Sequence, residues 1–235
     1  MSGHDSQSVL SIRLGSSLCY FLPTKTGAVL IDAGNAGRVD HLSSVLLAHE
    51  HELQRISLII LTHTHHDHVG SLAELKLRTG AKVMVHAAEA EYLIQGHTPL
   101  PHGTSPWTHL VVQTGKVIGF GKYEAVQPDI LVTEDMELHD YGVAGRILTT
   151  PGHTMGSISV IVGKKAFVGD TLFGINKDTV FPPFVTNAED LIQSWNRLLD
   201  TDCLTFYPGH GKAIDRWRFE HSFEKLRGQR YRKSQ

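Results

Sequence analysis

The sequence predicts an α/β (α+β) fold in which two mixed β-sheets pack face to face beneath outer helices. Three observations lead there. Strand-type runs come in two series, each relieved by helical spacing, so both sheets can bury their inner faces against each other. The first strand-type runs are joined by turns too short to hold a helix, which indicates a meander rather than βαβ units. The chain has 235 residues, 41% hydrophobic and 20% charged, enough apolar material for a sizeable core and too little charge for disorder.

Taken in order, residues 9–14 and 18–22 read as strands joined by Gly15-Ser16-Ser17, and 28–31 as a third ending at Asp32-Ala33-Gly34. From Val39 the apolar positions Leu42, Leu46 and Leu53 keep helical spacing and lead into a strand over 56–61. Residues 69–78 suit a short helix that Gly80 would end, followed by a strand at 82–86 and a helix at 87–95. The stretch 96–128 carries Gly, Pro and Trp without a period, and reads as an insertion or lid beside a site, with a homodimer contact as the alternative.

Strands resume at 129–133, 135–139, 145–149, 157–162 and 165–169. Thr186 and Glu189 have capping-box spacing and open a helix whose apolar face is Leu191, Ile192, Trp195, Leu198 and Leu199. A strand at 204–207 and a helix at 216–227 close the pattern. With no internal repeat and no linker, residues 1–235 read as one domain.

Composition narrows the partners. With 22 basic and 24 acidic residues the net charge is −2, so no global field favours nucleic acid or an anionic membrane, and a small molecule is the expected partner. The two cysteines, Cys19 and Cys203, sit in apolar contexts and read as buried, reduced thiols. Residues 1–7 show neither the basic nor the apolar region of a leader, and no run reaches the length of a membrane span, so the expected location is the cytoplasm.

Chemistry concentrates in Leu61-Thr62-His63-Thr64-His65-His66-Asp67-His68-Val69-Gly70, which places four imidazoles and one carboxylate within six residues directly behind the apolar run 56–61. Neutral nitrogen donors and an anion at the end of a core strand suit a borderline divalent metal. A purification tag would be a plain histidine run near a terminus, and this stretch is internal. Four further strand ends carry Asp or His close to a glycine that lets the backbone turn: Asp32, His153, Asp170 and His210. Singly each is ordinary turn chemistry; together they point to one metal centre.

In that order and with those motifs, the chain resembles the metallo-β-lactamase-fold superfamily from about residue 9 to residue 212. The resemblance implies a four-layer αββα sandwich with the site at one edge between the sheets. It implies two divalent ions, zinc first and iron or manganese as substitutes. His63, His65 and His153 would hold one ion, and Asp67, His68 and His210 the other. Asp170 would bridge both, and Asp32 would hold the ligand loop without ligating. His66 falls at the position that the family motif leaves variable and is expected to be a spectator.

The reaction that the resemblance implies is hydrolysis by a hydroxide bridging the two metals, with Asp67 orienting it and moving a proton. The surroundings of His153 and Asp170 look like the glyoxalase II branch, which cleaves glutathione thioesters. After Phe173, however, the chain lacks that branch's Gly-Cys-Gly element, and it ends soon after His210. Lys177, Lys212 or Arg216 would then hold a substrate carboxylate. The alternatives are a lactonase or phosphodiesterase of the same fold, a mononuclear iron persulfide dioxygenase, and a metal-binding protein without catalysis.

Overall fold

A computed structural model describes residues 9–117 and 121–233. The reading of residues 1–7 as leaderless, and the 118–120 part of the 96–128 segment, lie outside the described residues. The chain opens with an antiparallel meander of β1 (Leu10–Leu14), β2 (Ser17–Pro23) and β3 (Ala28–Ile31). Helix α1 (Val39–Ala48) crosses to β4 (Ile56–Ile60), which pairs parallel with β3. Short helices α2 (His66–Val69) and α3 (Leu72–Thr79) lead to β5 (Lys82–His86). From there α4 (Ala87–Gln95) and α5 (Pro106–Val117) lead to β6 (Ile130–Val132). These strands make one sheet in simple chain order, β1 to β6.

The second sheet is β7 (Met136–Glu137), β8 (Gly145–Thr149), β9 (Ile158–Val162), β10 (Lys165–Gly169), β11 (Thr205–Pro208) and β12 (Ile214–Asp215). Its strands also follow chain order, with β10 and β11 parallel because α6 (Ala188–Leu199) is the crossover between them. Helix α7 (Arg216–Lys233) follows β12. The two mixed sheets expected from the sequence are therefore present.

Side-chain alternation assigns the layers. In β3, Ala28 and Leu30 pack with Val39, Leu42 and Leu46 of α1, while Val29 and Ile31 face the other sheet. In β10 the roles repeat: Ala166 and Val168 pack with Trp195 of α6 and Phe219 of α7, while Phe167 joins the layer between the sheets. Tyr20 and Phe167 meet there with ring centroids 5.1 Å apart, and Phe167 stacks on Tyr207 at 5.0 Å. The buried Tyr20 hydroxyl donates to Pro208 O at 2.6 Å, so a bond from the first sheet fixes the end of β11, two residues before His210.

Local differences from the sequence-based expectation have identifiable causes. Leu53 lies in a separate 3₁₀ turn, Leu53–Arg55, because α1 stops at Ala48. The helix expected over 69–78 is two helices, α2 and α3, with a break at Gly70 and Ser71. The segment 96–128 is not irregular throughout, since α5 occupies its centre. Ser105 and Pro106 start that helix: proline presets φ at the first helical position, and Ser105 Oγ accepts from Thr108 N.

Helix α6 begins one residue later than the capping box requires. Asn187, not Thr186, is the cap, accepting from Glu189 N at 2.9 Å and Asp190 N at 3.3 Å. Thr186 Oγ1 instead donates to His153 O at 2.8 Å. Asn187→Ala is accordingly expected to cost about 1 kcal/mol. For a chain of this size that lowers the melting temperature by about 2–4 °C, measurable by circular dichroism, and Asn187→Asp should restore it.

Cys19 and Cys203 are buried and unbridged, as the sequence suggests. Among the described residues no helix is long and apolar enough to cross a membrane.

Candidate metal centre

The His-rich stretch follows β4 and is anchored to the second sheet where Ile158 N, at the start of β9, donates to Thr62 O at 2.9 Å. The other strand ends converge on it. Gly209 N donates to Gly169 O at 2.7 Å, bringing the turn after β11 against the end of β10. A Cβ on Gly209 would lie 2.4 Å from Asp170 Oδ1 and 2.5 Å from His68 Cε1. Only a residue without a side chain lets this turn approach so closely.

Three groups of ligand-type atoms result, each within 4.8 Å of one another: His63, His65 and His153; His63, His68 and Asp170; and Asp67, His68 and His210. The structure thus brings together all seven residues singled out as ligands. In the first group the three rings stand nearly perpendicular to one another, at 86–88°, with centroids 4.6–4.8 Å apart. Asp170 lies between the groups. Its Oδ1 is 3.4 Å from His68 Nε2, and its Oδ2 is 3.7 Å from His153 Nε2 and 3.5 Å from His210 Nε2.

The outward nitrogens of three imidazoles are held by acceptors. His153 Nδ1 donates to Phe184 O at 2.8 Å, His210 Nδ1 to Ser16 O at 3.0 Å, and His68 Nδ1 to Asp32 Oδ2 at 2.8 Å. An acceptor at Nδ1 keeps the proton there and turns the lone pair of Nε2 inward. His153 Nε2 consequently faces His65 Nδ1 at 3.0 Å. His63 Nε2, His68 Nε2 and Asp170 Oδ1 are buried without a hydrogen-bond partner. Buried polar atoms of this kind call for an explanation, and a shared divalent cation supplies one. An all-nitrogen-and-oxygen donor set of this composition fits zinc, iron or manganese.

The electrostatics divide the imidazoles into two sets. Burial pushes the imidazoles of His63, His65 and His153 below their ordinary range, so they are neutral donors at neutral pH. Burial acts the same way on His68 and His210. The carboxylates of Asp32, Asp170 and Asp67 outweigh it at His68, and those of Asp170 and Asp67 at His210, so both are raised. Burial would raise the carboxyls of Asp67 and Asp170. The imidazoles of His68 and His210 instead draw both well below the usual carboxylate range.

Asp32 belongs to none of the three groups. It is buried, accepts from Thr62 N and from Thr62 Oγ1, each at 2.8 Å, and holds His68. His66 is also outside the groups, partly exposed, with Nδ1 3.9 Å from Asp67 Oδ1. His66→Ala is expected to keep both metal and turnover, whereas His65→Ala loses both; parallel metal analysis of the two variants checks the pair.

Of the residues expected to hold a substrate carboxylate, Arg216 is committed elsewhere. Its guanidinium donates to Leu199 O, Thr201 O, Cys203 O and Glu220 Oε1, tying α7 to the chain that leaves α6. Lys177 and Lys212 are exposed on the two loops joined by the Gly174–Gly211 bridge, and Lys212 lies two residues after His210.

One buried charge was not anticipated from the sequence. Glu89, 1% exposed, accepts from Thr64 N at 3.0 Å and from Gly156 N at 3.2 Å, and so pins both histidine-bearing loops. Its spacing of four from Leu93, the other buried residue of α4, was the available signal.

The family model of the metallo-beta-lactamase superfamily matches residues 12–210. The chain belongs to that superfamily. A probable metallo-hydrolase of Methanocaldococcus jannaschii is 28% identical over 211 residues, 88% of this chain and 93% of that protein. A hydroxyacylglutathione hydrolase of Shewanella pealeana is 27% identical over 140 residues, 60% of this chain but only 41% of that protein. In three dimensions the chain is similar to TTHA1623 in a di-iron-bound form, with a TM-score of 0.69 and 22% identity over 91% of this chain and 98% of that one. This last likeness concerns the fold.

Proposed function

We propose that the protein is a dinuclear metal-dependent hydrolase that cleaves a thioester, ester or similar bond in a small molecule. Superfamily membership and hydrolase-named relatives support the class. The observation that carries the dinuclear reading is Asp170, which faces imidazoles of both the His153 and the His68–His210 groups. A carboxylate shared by two sites lowers the repulsion between two dications, a function for which one ion alone has no use.

Divalent ions held here would supply a nucleophile from water at neutral pH and polarise the bond to be cut. The chain's own contributions are positional. His63, His65 and His153 offer neutral nitrogens from three directions. Asp67 is ionised at neutral pH, and its Oδ2 is engaged by His210 Nε2 at 3.1 Å. This carboxylate would orient the attacking water and carry a proton toward the leaving group. Phe173 stacks on the His210 ring, with centroids 4.8 Å apart, and gives that side of the site an apolar wall.

Two features support a small substrate. A cavity of about 190 Å³ adjoins Thr154 and is walled by Tyr92, Pro99, Leu100 and Met155. The exposed Lys177 and Lys212, on the two loops joined by the Gly174–Gly211 bridge, are the candidate cations for a substrate carboxylate.

The test is metal analysis of the purified protein with a panel of thioesters, esters, lactones and phosphodiesters. Two ions per chain, and thioester or ester turnover that a chelator removes and added metal restores, would bear the proposal out. One iron per chain with oxygen uptake on a persulfide would overturn it in favour of a dioxygenase. Metal without turnover would favour a binding protein.

A further inference from the structure

The turn between β1 and β2 offers no ligand-type side chain, yet it touches both outer members of the Asp67, His68 and His210 group. Gly15 adopts φ +94°, and a Cβ there would fall 2.2 Å from Asn35 Oδ1. The space left by the missing side chain admits Asn35, whose Oδ1 accepts from Ser16 N at 2.7 Å and from Ser16 Oγ at 2.8 Å. Ser16, held this way, turns its carbonyl to His210 Nδ1 at 3.0 Å and sets its hydroxyl 3.3 Å from Asp67 Oδ2. The buried Ser17 donates from its hydroxyl to Asp67 O, and Leu18 N donates to Gly209 O at 2.8 Å. Four consecutive residues thus clamp two ligands that come from different sheets.

The imidazoles of the other group make no hydrogen bond to this clamp. The side-chain hydrogen bonds of His63, His65 and His153 run to Thr62, Phe184 and each other, and none reaches residues 15–18. An imidazole whose Nδ1–H has an acceptor is fixed in orientation and more basic at Nε2. Loss of such a partner typically weakens metal binding 10- to 100-fold.

We propose that the Gly15–Leu18 turn, locked by Asn35, is the positioning element of the Asp67–His68–His210 metal position and sets its affinity separately from that of the His63–His65–His153 position. The inference rests on the dinuclear reading above. Ser16, Ser17 and Asn35 are positioning residues: they act through Asp67 and His210 and touch no reacting atom.

Zinc titration of metal-free protein against a chromophoric chelator tests this. Wild type is expected to take up two equivalents. Asn35→Ala, and the double variant Ser16→Ala with Ser17→Ala, should bind one equivalent roughly 10- to 100-fold more weakly and the other unchanged. Ser16→Thr, which keeps the hydroxyl, should bind both as wild type does. Asn35→Ala serves if the buried Ser17 substitution impairs folding. Equal weakening of both equivalents would show general loosening and overturn the inference, as would no change in either. Uptake of a single equivalent by wild type would overturn the dinuclear reading and this inference with it; two unaltered equivalents in the variants would overturn the inference alone.

Discussion

Asp170→Ala is expected to lower turnover by about 10³-fold or more, about 4 kcal/mol of transition-state stabilisation, and to leave one metal ion or fewer per chain. The magnitude follows from the residue's position rather than from its hydrogen bonds. Asp170 is 6% exposed and lies within 3.4–3.7 Å of imidazole nitrogens from His68, His153 and His210. Among the described residues no other carboxylate lies within 4 Å of imidazole nitrogens of both groups: Asp67 contacts His210, and Asp32 contacts the far nitrogen of His68. Removing it takes a negative charge from between two proposed dications whose mutual repulsion is then uncompensated. Asp170→Asn separates charge from shape, since it keeps the size and one acceptor; it should retain more metal than Asp170→Ala while losing comparable turnover. Metal content and kcat/KM measured on the same preparations check both statements. A fully metallated Asp170→Ala protein would remove the bridging role.

The candidate metal-binding residues that the structure brings together were legible in the sequence because metal chemistry admits few side-chain types and because strand ends need glycine. The cluster His63 to His68, and the pairs Gly152-His153, Gly169-Asp170 and Gly209-His210, advertise both requirements at once. The layers were legible for a similar reason. Alternate residues of β3 and β10 serve different cores, so the strands read as continuous apolar runs that only a sheet covered on both faces can bury.

What could not be read is what any residue type can supply. The acceptors that orient His153 and His210 are the backbone carbonyls of Phe184 and Ser16, and a carbonyl leaves no trace in a sequence. Glu89 did leave one, a carboxylate at helical spacing from Leu93, but its partners are backbone amides of distant loops. Arg216 misled for the converse reason. A cation six residues after His210 looks available to substrate until three carbonyls and Glu220 are found around it.

Asp32→Ala is expected to cost about 3–5 kcal/mol of stability, the range for stripping a buried charged group from its partners. It should lower the melting temperature by roughly 10 °C in metal-free protein. Three donors lose their acceptor together: Thr62 N, Thr62 Oγ1 and His68 Nδ1, each 2.8 Å from an Asp32 oxygen. An unsatisfied buried donor costs about 1–3 kcal/mol, and no water reaches this position easily, because Asp32 is 1% exposed and His68 fully buried. The backbone adds to the loss. Asp32 has φ +62°, a conformation that aspartate and asparagine tolerate better than alanine does. Asp32→Asn therefore isolates the charge: it keeps the φ and one oxygen for Thr62 but presents an amide without the carboxylate's charge to His68. It should melt several degrees above Asp32→Ala and still bind one metal equivalent more weakly than wild type, because the His68 ring loses its anionic partner. Thermal melts of metal-free protein and zinc titrations of all three proteins read these two effects separately. If Asp32→Ala melted as wild type does and bound both equivalents unchanged, Asp32 would hold neither the loop nor His68, and the positions of His63 and His68 would have to be fixed by Thr62 and Glu89 alone.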